Sequence, residues 1–363
     1  MTAQRKDVRV ALIGFGLAGS VFHAPLIDSV DGLRLTAIVT ANSQRQAQAG
    51  FTYPSAQIFS SVDEIWKSAN DYDLVVVASP NRFHYDHAYA ALNANMHVVV
   101  DKPVAATVQD CRDLINLSQK KGKILSVFHN RRWDNDFLTV QKLIEEGTLG
   151  TLTRFESRYE RYRPEPKANA WRESADAKDA GGLLFDLGSH LIDQACTLFG
   201  DPKTVYAELD ARRTGAEVDD DAFVALQFTD GVKAHLWASS VARLKGPRFR
   251  VLGLKGAYEK YGIDPQEEKL KAGILPSSAD FGREPESAWG RLSAQVGGLA
   301  FEGRIETLPG AYKTFYSSLR DAILHDGEIP VQPRDALRTM QIIEAALKSS
   351  ASGQVIQLEG SKV

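Results

Sequence analysis

Over the first third of the chain, short runs rich in β-branched residues alternate with stretches whose apolar residues recur at helical spacing. "VRVALIG" (Val8–Gly14), "LRLTAIVT" (Leu33–Thr40), "YDLVVVAS" (Tyr72–Ser79), "HVVVDKP" (His97–Pro103) and "KILSVFHN" (Lys123–Asn130) each hold a nearly unbroken apolar core. That is the pattern of strands covered on both faces of a parallel sheet. Between them, "TVQDCRDLINLSQKKG" (Thr107–Gly122) reads as an amphipathic helix closed by glycine. Strand and helix in alternation predict βαβ units.

Beyond Phe128 the pattern changes. "DNDFLTVQKLIEEGTLG" (Asp134–Gly150) predicts another amphipathic helix, and long alternating runs follow: "TLTRFESRYERY", "TVYAELDARR", "AFVALQFTDGVKAHLWAS" and "RFRVLGLKGAYEKYG". In the third of these, Val224, Leu226, Phe228, Val232, Ala234 and Leu236 share one face about an Asp230–Gly231 turn. A largely antiparallel sheet with one covered face is expected. Residues 267–310, rich in Gly, Pro and Ser, show no clear period and read as a long excursion. A last helix, about Arg334 to Ser350, carries Met340, Ile343, Ala346 and Leu347 as its apolar stripe.

The chain is 363 residues long, which favours two domains. Boundaries are expected at 1–128 and 129–363. The net charge of −3 comes from interspersed signs, so nothing electrostatic favours nucleic acid or an anionic membrane surface as partner. Cys111 and Cys196 sit in apolar, helix-like surroundings and read as buried thiols. The opening "MTAQRKDV" has no apolar signal core, and a cytoplasmic enzyme or sensor is the expected class.

Gly14, Gly16 and Gly19 form G-x-G-x-x-G between the first strand and a helix. In that setting the first glycine permits a tight turn, the second lets a pyrophosphate reach the backbone, and the third allows close packing. The free N–H groups of the helix start would meet the phosphates. The second strand runs into "VTANSQRQ" (Val39–Gln46), which has no acid to grip a ribose 2′-hydroxyl. Thr40, Asn42, Ser43 and Arg45 instead suit a 2′-phosphate, so NADP is preferred over NAD. A solvated Arg45 with no ligand is the competing reading.

"VVVDKP" delivers Asp101 and Lys102 to the carboxyl edge of the sheet, where doubly wound folds bind ligands. "GGLLFDLGSHLIDQ" (Gly181–Gln194) places Asp186 and His190 four apart, on one face if helical. A carboxylate and an imidazole suit alcohol oxidation; an internal helix pair or a metal site would use the same spacing, and a third metal ligand is not in evidence. His84 and His87 in "NRFHYDH" open a helix that reads as flanking a nicotinamide or as half a metal site, with His87 as an ordinary polar helix residue the competing reading. "FHNRRWDNDF" (Phe128–Phe137) reads equally as cleft lining or as a hinge with solvated arginines, and Tyr162, Trp171 and Arg172 in "RYRPEPKANAWRE" as cleft wall.

In this order, G-x-G-x-x-G, "DKP" and "GGLLFDLGSHLID" resemble the Gfo/Idh/MocA oxidoreductases along essentially the whole chain. "GFGLAGSVFHAPL", "HNRRWDNDFL", "RYRPE" and "KYGIDPQEE" look like that family's NADP-dependent scyllo-inositol dehydrogenase branch. The resemblance implies an α/β protein with an N-terminal Rossmann fold. A C-terminal α+β domain would follow, with a large, mostly antiparallel open sheet that often mediates homodimer or homotetramer contacts. It implies Lys102, Asp186 and His190 as the catalytic set, and a cis Lys102–Pro103 bond. Asp101 departs from the family's more usual glutamate. Cofactor contacts are expected from Gly14, Phe15, Gly16, Leu17, Gly19, Thr40, Asn42, Ser43, Arg45, Ser79, Pro80, Asn81, His84, Asp101, Lys102, Asn130, Trp171 and Arg172. Substrate contacts are expected from Lys102, His129, Arg132, Tyr162, Asp186 and His190. The implied reaction is reversible oxidation of a secondary hydroxyl of a cyclitol or sugar. An aldose or keto-sugar reductase, or a non-catalytic NADP-binding sensor, are the alternatives. A phosphorylated substrate would need a further cationic cluster, for which Arg131, Arg132, Arg161 and Arg163 are weak candidates.

Overall fold

A computed structural model describes residues 7–167 and 170–358. The "MTAQRK" of the opening stretch, and Ala168 and Asn169 within "RYRPEPKANAWRE", lie outside the described residues. The chain divides into two compact units. One holds the chain up to Asn130 together with Gln266–Phe281 and Ala311–Ala336. The other holds Arg131–Pro265, Gly282–Gly310 and the chain from Leu337 onward.

The first unit is built on β1 (Val8–Ile13), β2 (Leu33–Val39), β3 (Gln57–Phe59), β4 (Leu74–Val77), β5 (His97–Val100) and β6 (Leu125–Val127). They pair in parallel in the order β3-β2-β1-β4-β5-β6, the doubly wound arrangement of dinucleotide-binding domains. Val10, Leu12, Ile38, Val75, Val76, Val98 and Val99 are wholly buried, as continuous apolar strands require. The edge strand β3 escaped the pattern because its three residues are exposed or half-buried. The helix Val108–Lys121 is framed as expected. The Thr107 side chain accepts from the Asp110 N–H at its start, and left-handed Gly122 closes it while the Lys123 N–H donates to the Ser118 carbonyl.

The second unit is built on β7 (Leu152–Glu160), β8 (Pro202–Asp210), β9 (Asp221–Phe228), β10 (Lys233–Ser239), β11 (Phe249–Gly253), β12 (Gly256–Lys260), β13 (Gly290–Val296), β14 (Leu299–Ile305) and β15 (Ile356–Gln357). The sheet order is β14-β13-β12-β11-β7-β10-β9-β8-β15, antiparallel except for the β7–β10 pair. Val224, Leu226, Phe228, Val232, Ala234 and Leu236 are buried along one face.

Two expectations are corrected. Residues 267–310 are not a structureless excursion, because they hold the helix Gln266–Lys271 and the β13–β14 hairpin. β14 has no period to read, since it forms the sheet edge with Leu299 and Phe301 exposed; the Gly297–Gly298 pair at its turn was the available signal. In the helix Pro333–Ser352, Met340, Ile343 and Ala346 are buried but Leu347 is exposed. The covered face of its last turns is Ile342, Ala345, Ala346 and Ser349, which leaves Leu347 outside.

Thr107→Ala removes the N-cap and is expected to cost about 1 kcal/mol of stability, read as a lower urea midpoint with the slope unchanged.

Candidate active site

In the first unit, parallel strands deliver the expected residues to one edge of the sheet. Gly14–Gly19 follow β1, Thr40–Arg45 follow β2, Ser79–His84 follow β4, Asp101 and Lys102 follow β5, and His129 and Asn130 follow β6. The strand order reverses between β1 and β4, where such folds take their ligands.

The glycines of the loop have distinct surroundings. Gly14 adopts φ +101°, and a Cβ on it would lie 2.4 Å from the Ala78 carbonyl oxygen. A Cβ on Gly19 would lie 2.0 Å from the Gly14 carbonyl oxygen. Gly16 faces open space, with only the Arg45 guanidinium nearby, 3.8 Å from where its Cβ would be. The loop is thus closed by protein on two sides and open on the third, the shape a pyrophosphate-binding cradle needs. Ala18–His23 then winds as a π-type turn into the helix Ala24–Asp28.

The remaining cofactor-directed residues differ in what they offer. Arg45 is exposed, and its guanidinium has no partner among the described residues. Ser43 and Leu17 are exposed, whereas Thr40 is buried. The Asn42 side chain accepts from the Arg45 N–H at 3.0 Å and caps the helix Ser43–Thr52. Phe15 is buried edge-on against Tyr53, so only its main chain is presented. Ser79 Oγ lies 3.1 Å from His87 Nδ1, Pro80 is exposed, and Asn81 and Asn130 are buried.

His84, expected among the cofactor contacts, braces two loops internally. It is buried, with Nδ1 2.7 Å from the Pro103 carbonyl oxygen and Nε2 2.8 Å from the Ser79 carbonyl oxygen, so the ring ties the loop after β4 to the loop after β5. Burial pushes its pKa down, against the pull of the two carbonyls and Asp101.

Asp101 caps its neighbour, one carboxylate oxygen accepting from the Lys102 N–H at 2.8 Å. The other faces His23 Nε2 at 3.9 Å, beyond hydrogen-bonding distance. His23 is wholly buried, and its Nδ1 lies 2.6 Å from Tyr316 Oη. Burial alone would raise the Asp101 pKa, but His23, Lys102 and His84 outweigh it and hold the carboxyl at about 2. The Lys102–Pro103 peptide is cis. No short-range pattern pointed to Tyr316, which lies 293 residues from His23 along the chain.

In the second unit, Asp186 falls in a π-type turn, Leu184–Gly188, and His190 in the helix Ser189–Phe199. The spacing was read as plain α-helix; the widened turn is of a kind often found at functional sites. Two guanidiniums face Asp186: Arg172 Nε at 3.3 Å and Arg161 Nη2 at 4.0 Å. The Arg172 guanidinium also stacks on Trp171, 4.2 Å from the ring centre. His190 is 5% exposed, the most of any residue in the buried run Ser189–Cys196. Tyr162 is exposed, and its hydroxyl accepts from Arg243 at 2.8 Å.

Arg132, expected among the substrate contacts, clamps a buried acid. Its Nε and Nη2 donate to the two oxygens of buried Asp193 at 2.8 and 2.6 Å. Arg131 lies 3.6 Å from Asp134 and stacks on Tyr159. Neither arginine is solvated, because each closes a buried carboxylate.

Comparison with known proteins agrees with this geometry. The oxidoreductase family described by its NAD-binding Rossmann fold matches residues 8–129, and the same family's C-terminal alpha/beta domain matches residues 141–358. The chain belongs to the Gfo/Idh/MocA oxidoreductase family. It is 38% identical over 97% of its length, and 96% of the relative's, to the scyllo-inositol 2-dehydrogenase (NADP(+)) IolW of Bacillus subtilis. Over 54% of its length it is 32% identical to the D-glucoside 3-dehydrogenase of Escherichia coli. The crystal structure of the oxidoreductase yvaA from Bacillus subtilis superposes with a TM-score of 0.93 at 37% identity, covering 98% of this chain and all of that one. As a member of this family the chain is an NAD(P)-dependent dehydrogenase acting on CH–OH groups. Among the described residues no helix is long and apolar enough to cross a membrane.

Two outcomes follow from this geometry. Asp101 is held below its ordinary 3.8, so it contributes stability above that pH and loses it as the pH falls through about 2. Asp101→Asn is therefore expected to cost about 2 kcal/mol at pH 7, with the gap from wild type closing between pH 4 and 2 in urea titrations. Arg132→Ala strands the buried Asp193 charge and is expected to cost about 3 kcal/mol, read by the same titration.

Proposed function

We propose that the chain is an NADP-dependent oxidoreductase that reversibly oxidises a secondary hydroxyl of a cyclitol resembling scyllo-inositol. The observation that carries this reading is the near full-length likeness to IolW, whose name gives that substrate and that cofactor. Arg45 supports the choice of NADP, as an unpaired guanidinium beside the open face of Gly16, suited to a 2′-phosphate.

The glycine loop, the start of the Ala18–Asp28 helical stretch and Arg45 would hold the cofactor, which supplies a hydride acceptor at its nicotinamide. In this reading His190 takes the hydroxyl proton as the carbinol hydrogen leaves with its electron pair. Lys102 donates to the same oxygen and stabilises its developing negative charge. Asp186, with Arg161 and Arg172 beside it, accepts from a neighbouring substrate hydroxyl. In the reducing direction His190 returns the proton while Lys102 polarises the carbonyl. A sugar in place of the cyclitol is the second reading, supported by the likeness to the D-glucoside 3-dehydrogenase. Assembly into dimers or tetramers in the cytoplasm is part of the same proposal.

Initial rates with scyllo-inositol, myo-inositol and a sugar panel, each with NADP and NAD, test it directly. Turnover of an inositol with NADP is expected; turnover of sugars alone moves the substrate, and cofactor binding without any turnover favours a sensor. Lys102→Met and His190→Ala are each expected to lower kcat at least about 100-fold with folding intact. Arg45→Ala is expected to raise KM for NADP about tenfold or more, leaving that for NAD unchanged.

A further inference from the structure

The two glycines that open "GGLLFDLGSH" have no role in the chemistry proposed above, yet the structure leaves room for nothing else at either position. A Cβ on Gly181 would lie 2.4 Å from the Ser174 carbonyl oxygen. Gly182 adopts φ +93°, and a Cβ there would lie 2.0 Å from Asp219 Oδ1. What they admit is a set of acceptors for the start of the helical segment that carries Asp186 and His190. The Gly182 N–H donates to the Arg172 carbonyl at 2.9 Å, and the Leu183 N–H to the Asp219 carbonyl at 2.9 Å. The Leu184 N–H donates to the Asp219 carboxylate at 2.7 Å. Successive N–H groups that a helix start leaves unmatched are thus taken up from two segments distant in sequence. The Asp186 N–H then closes the first turn onto the Gly182 carbonyl at 3.0 Å.

We propose that Asp219 is a positioning residue for the dehydrogenase, fixing the start of the segment that presents Asp186 and His190. This rests on the reading of that pair as the catalytic acid–base set. Asp219 does not act as an ordinary N-cap, because it comes from the loop before β9 and reaches the turn only across a glycine. Its carboxylate grips a backbone N–H two residues before Asp186, and a charge-assisted bond of this kind is stronger than a neutral one. Arg172 works on the same turn twice, with its carbonyl on Gly182 and its guanidinium on the Asp186 carboxylate.

The ionised carboxylate is kept at a cost. Burial pushes the Asp219 pKa up to about 6, against the Leu184, Asp219 and Leu183 N–H groups and with Asp220 adding to the rise. Asp220 is itself closed by Arg213, which also holds Glu173, so these charges are spent on one another. Asp219 therefore binds a proton in the native state that the unfolded chain releases between 3.8 and about 6, and its share of stability falls as pH rises through that window. An amide of the same shape would escape this cost while keeping an oxygen that accepts from the Leu184 N–H.

The test compares Asp219→Ala and Asp219→Asn in the full-length protein. Hydrogen exchange of the peptide spanning residues 183–190, read by mass spectrometry, is expected to speed at least about tenfold in Asp219→Ala. In Asp219→Asn, whose amide oxygen still accepts from Leu184, it is expected to stay within about twofold of wild type. Asp219→Ala is expected to lower kcat about tenfold with KM for NADP unchanged. Asp219→Asn recovers most of that loss at pH 8 and melts no lower than wild type at pH 7.5. Wild-type exchange in Asp219→Ala, or a loss of kcat in Asp219→Asn as large as that in Asp219→Ala, overturns the proposal. If Asp219→Ala does not fold, Asp219→Leu, similar in shape to the acid but without an acceptor, is read by the same exchange and kcat measurements. Full activity of His190→Ala would overturn the catalytic reading by itself, and the exchange measurement would still decide whether Asp219 fixes the turn.

Discussion

A charge buried without a partner costs several kcal/mol, and the helix Ser189–Phe199 gathers that problem into one place. Every residue from Ser189 to Cys196 is buried, Asp193 and Gln194 among them, and Arg248 nearby is 2% exposed. Each is answered locally. Arg132 forks onto Asp193, and Arg248 donates to Gln194 Oε1 and Tyr159 Oη at 2.8 Å while facing Asp136 at 3.4 Å. Tyr159 donates onward to Asp134 at 3.0 Å, and the Gln194 amide donates to the Arg131 carbonyl at 2.7 Å. A helix held by so many directional bonds has one rotation and one height at which all of them close. That is a condition for presenting an imidazole and a carboxylate within tolerances that matter to proton transfer.

The first unit meets the same demand with fewer groups. Its parallel strands end in loops whose carbonyls need partners, and the two ring nitrogens of His84 lie against two of these carbonyls, after β4 and after β5. Asp101 accepts from its own neighbour's N–H, with the buried His23–Tyr316 pair behind it at 3.9 Å. The face of Gly16 and Arg45 stays open. In both units internal bonds take up polar groups near the core, as at His84 and Asp193.

This division explains which residues could be read in advance. The glycine loop was legible because its function is a local matter of backbone space, encoded within six residues. Lys102, Asp186 and His190 stood out in the same way, because their neighbours form short motifs. The internal partners of Arg132 and His84 were not legible, because an arginine or histidine near a motif looks the same in sequence whether its partner is a ligand or a buried group. Their partners, Asp193 and the Pro103 and Ser79 carbonyls, are set by folding. Asp219 and Tyr316 gave no signal, as neither stands near the segment it supports.

By itself the sequence determined the periodicities of the two sheets, the helix caps such as Thr107 and Gly122, and the position of the phosphate cradle. All of these depend on interactions between residues a few places apart. The tertiary structure decided the β13–β14 hairpin at the sheet edge, the face on which the last helix is covered, and which polar side chains are spent internally. Those outcomes depend on which distant segments come within hydrogen-bonding reach, and the cost of burying an unpaired polar group is resolved only once the chain has closed around it.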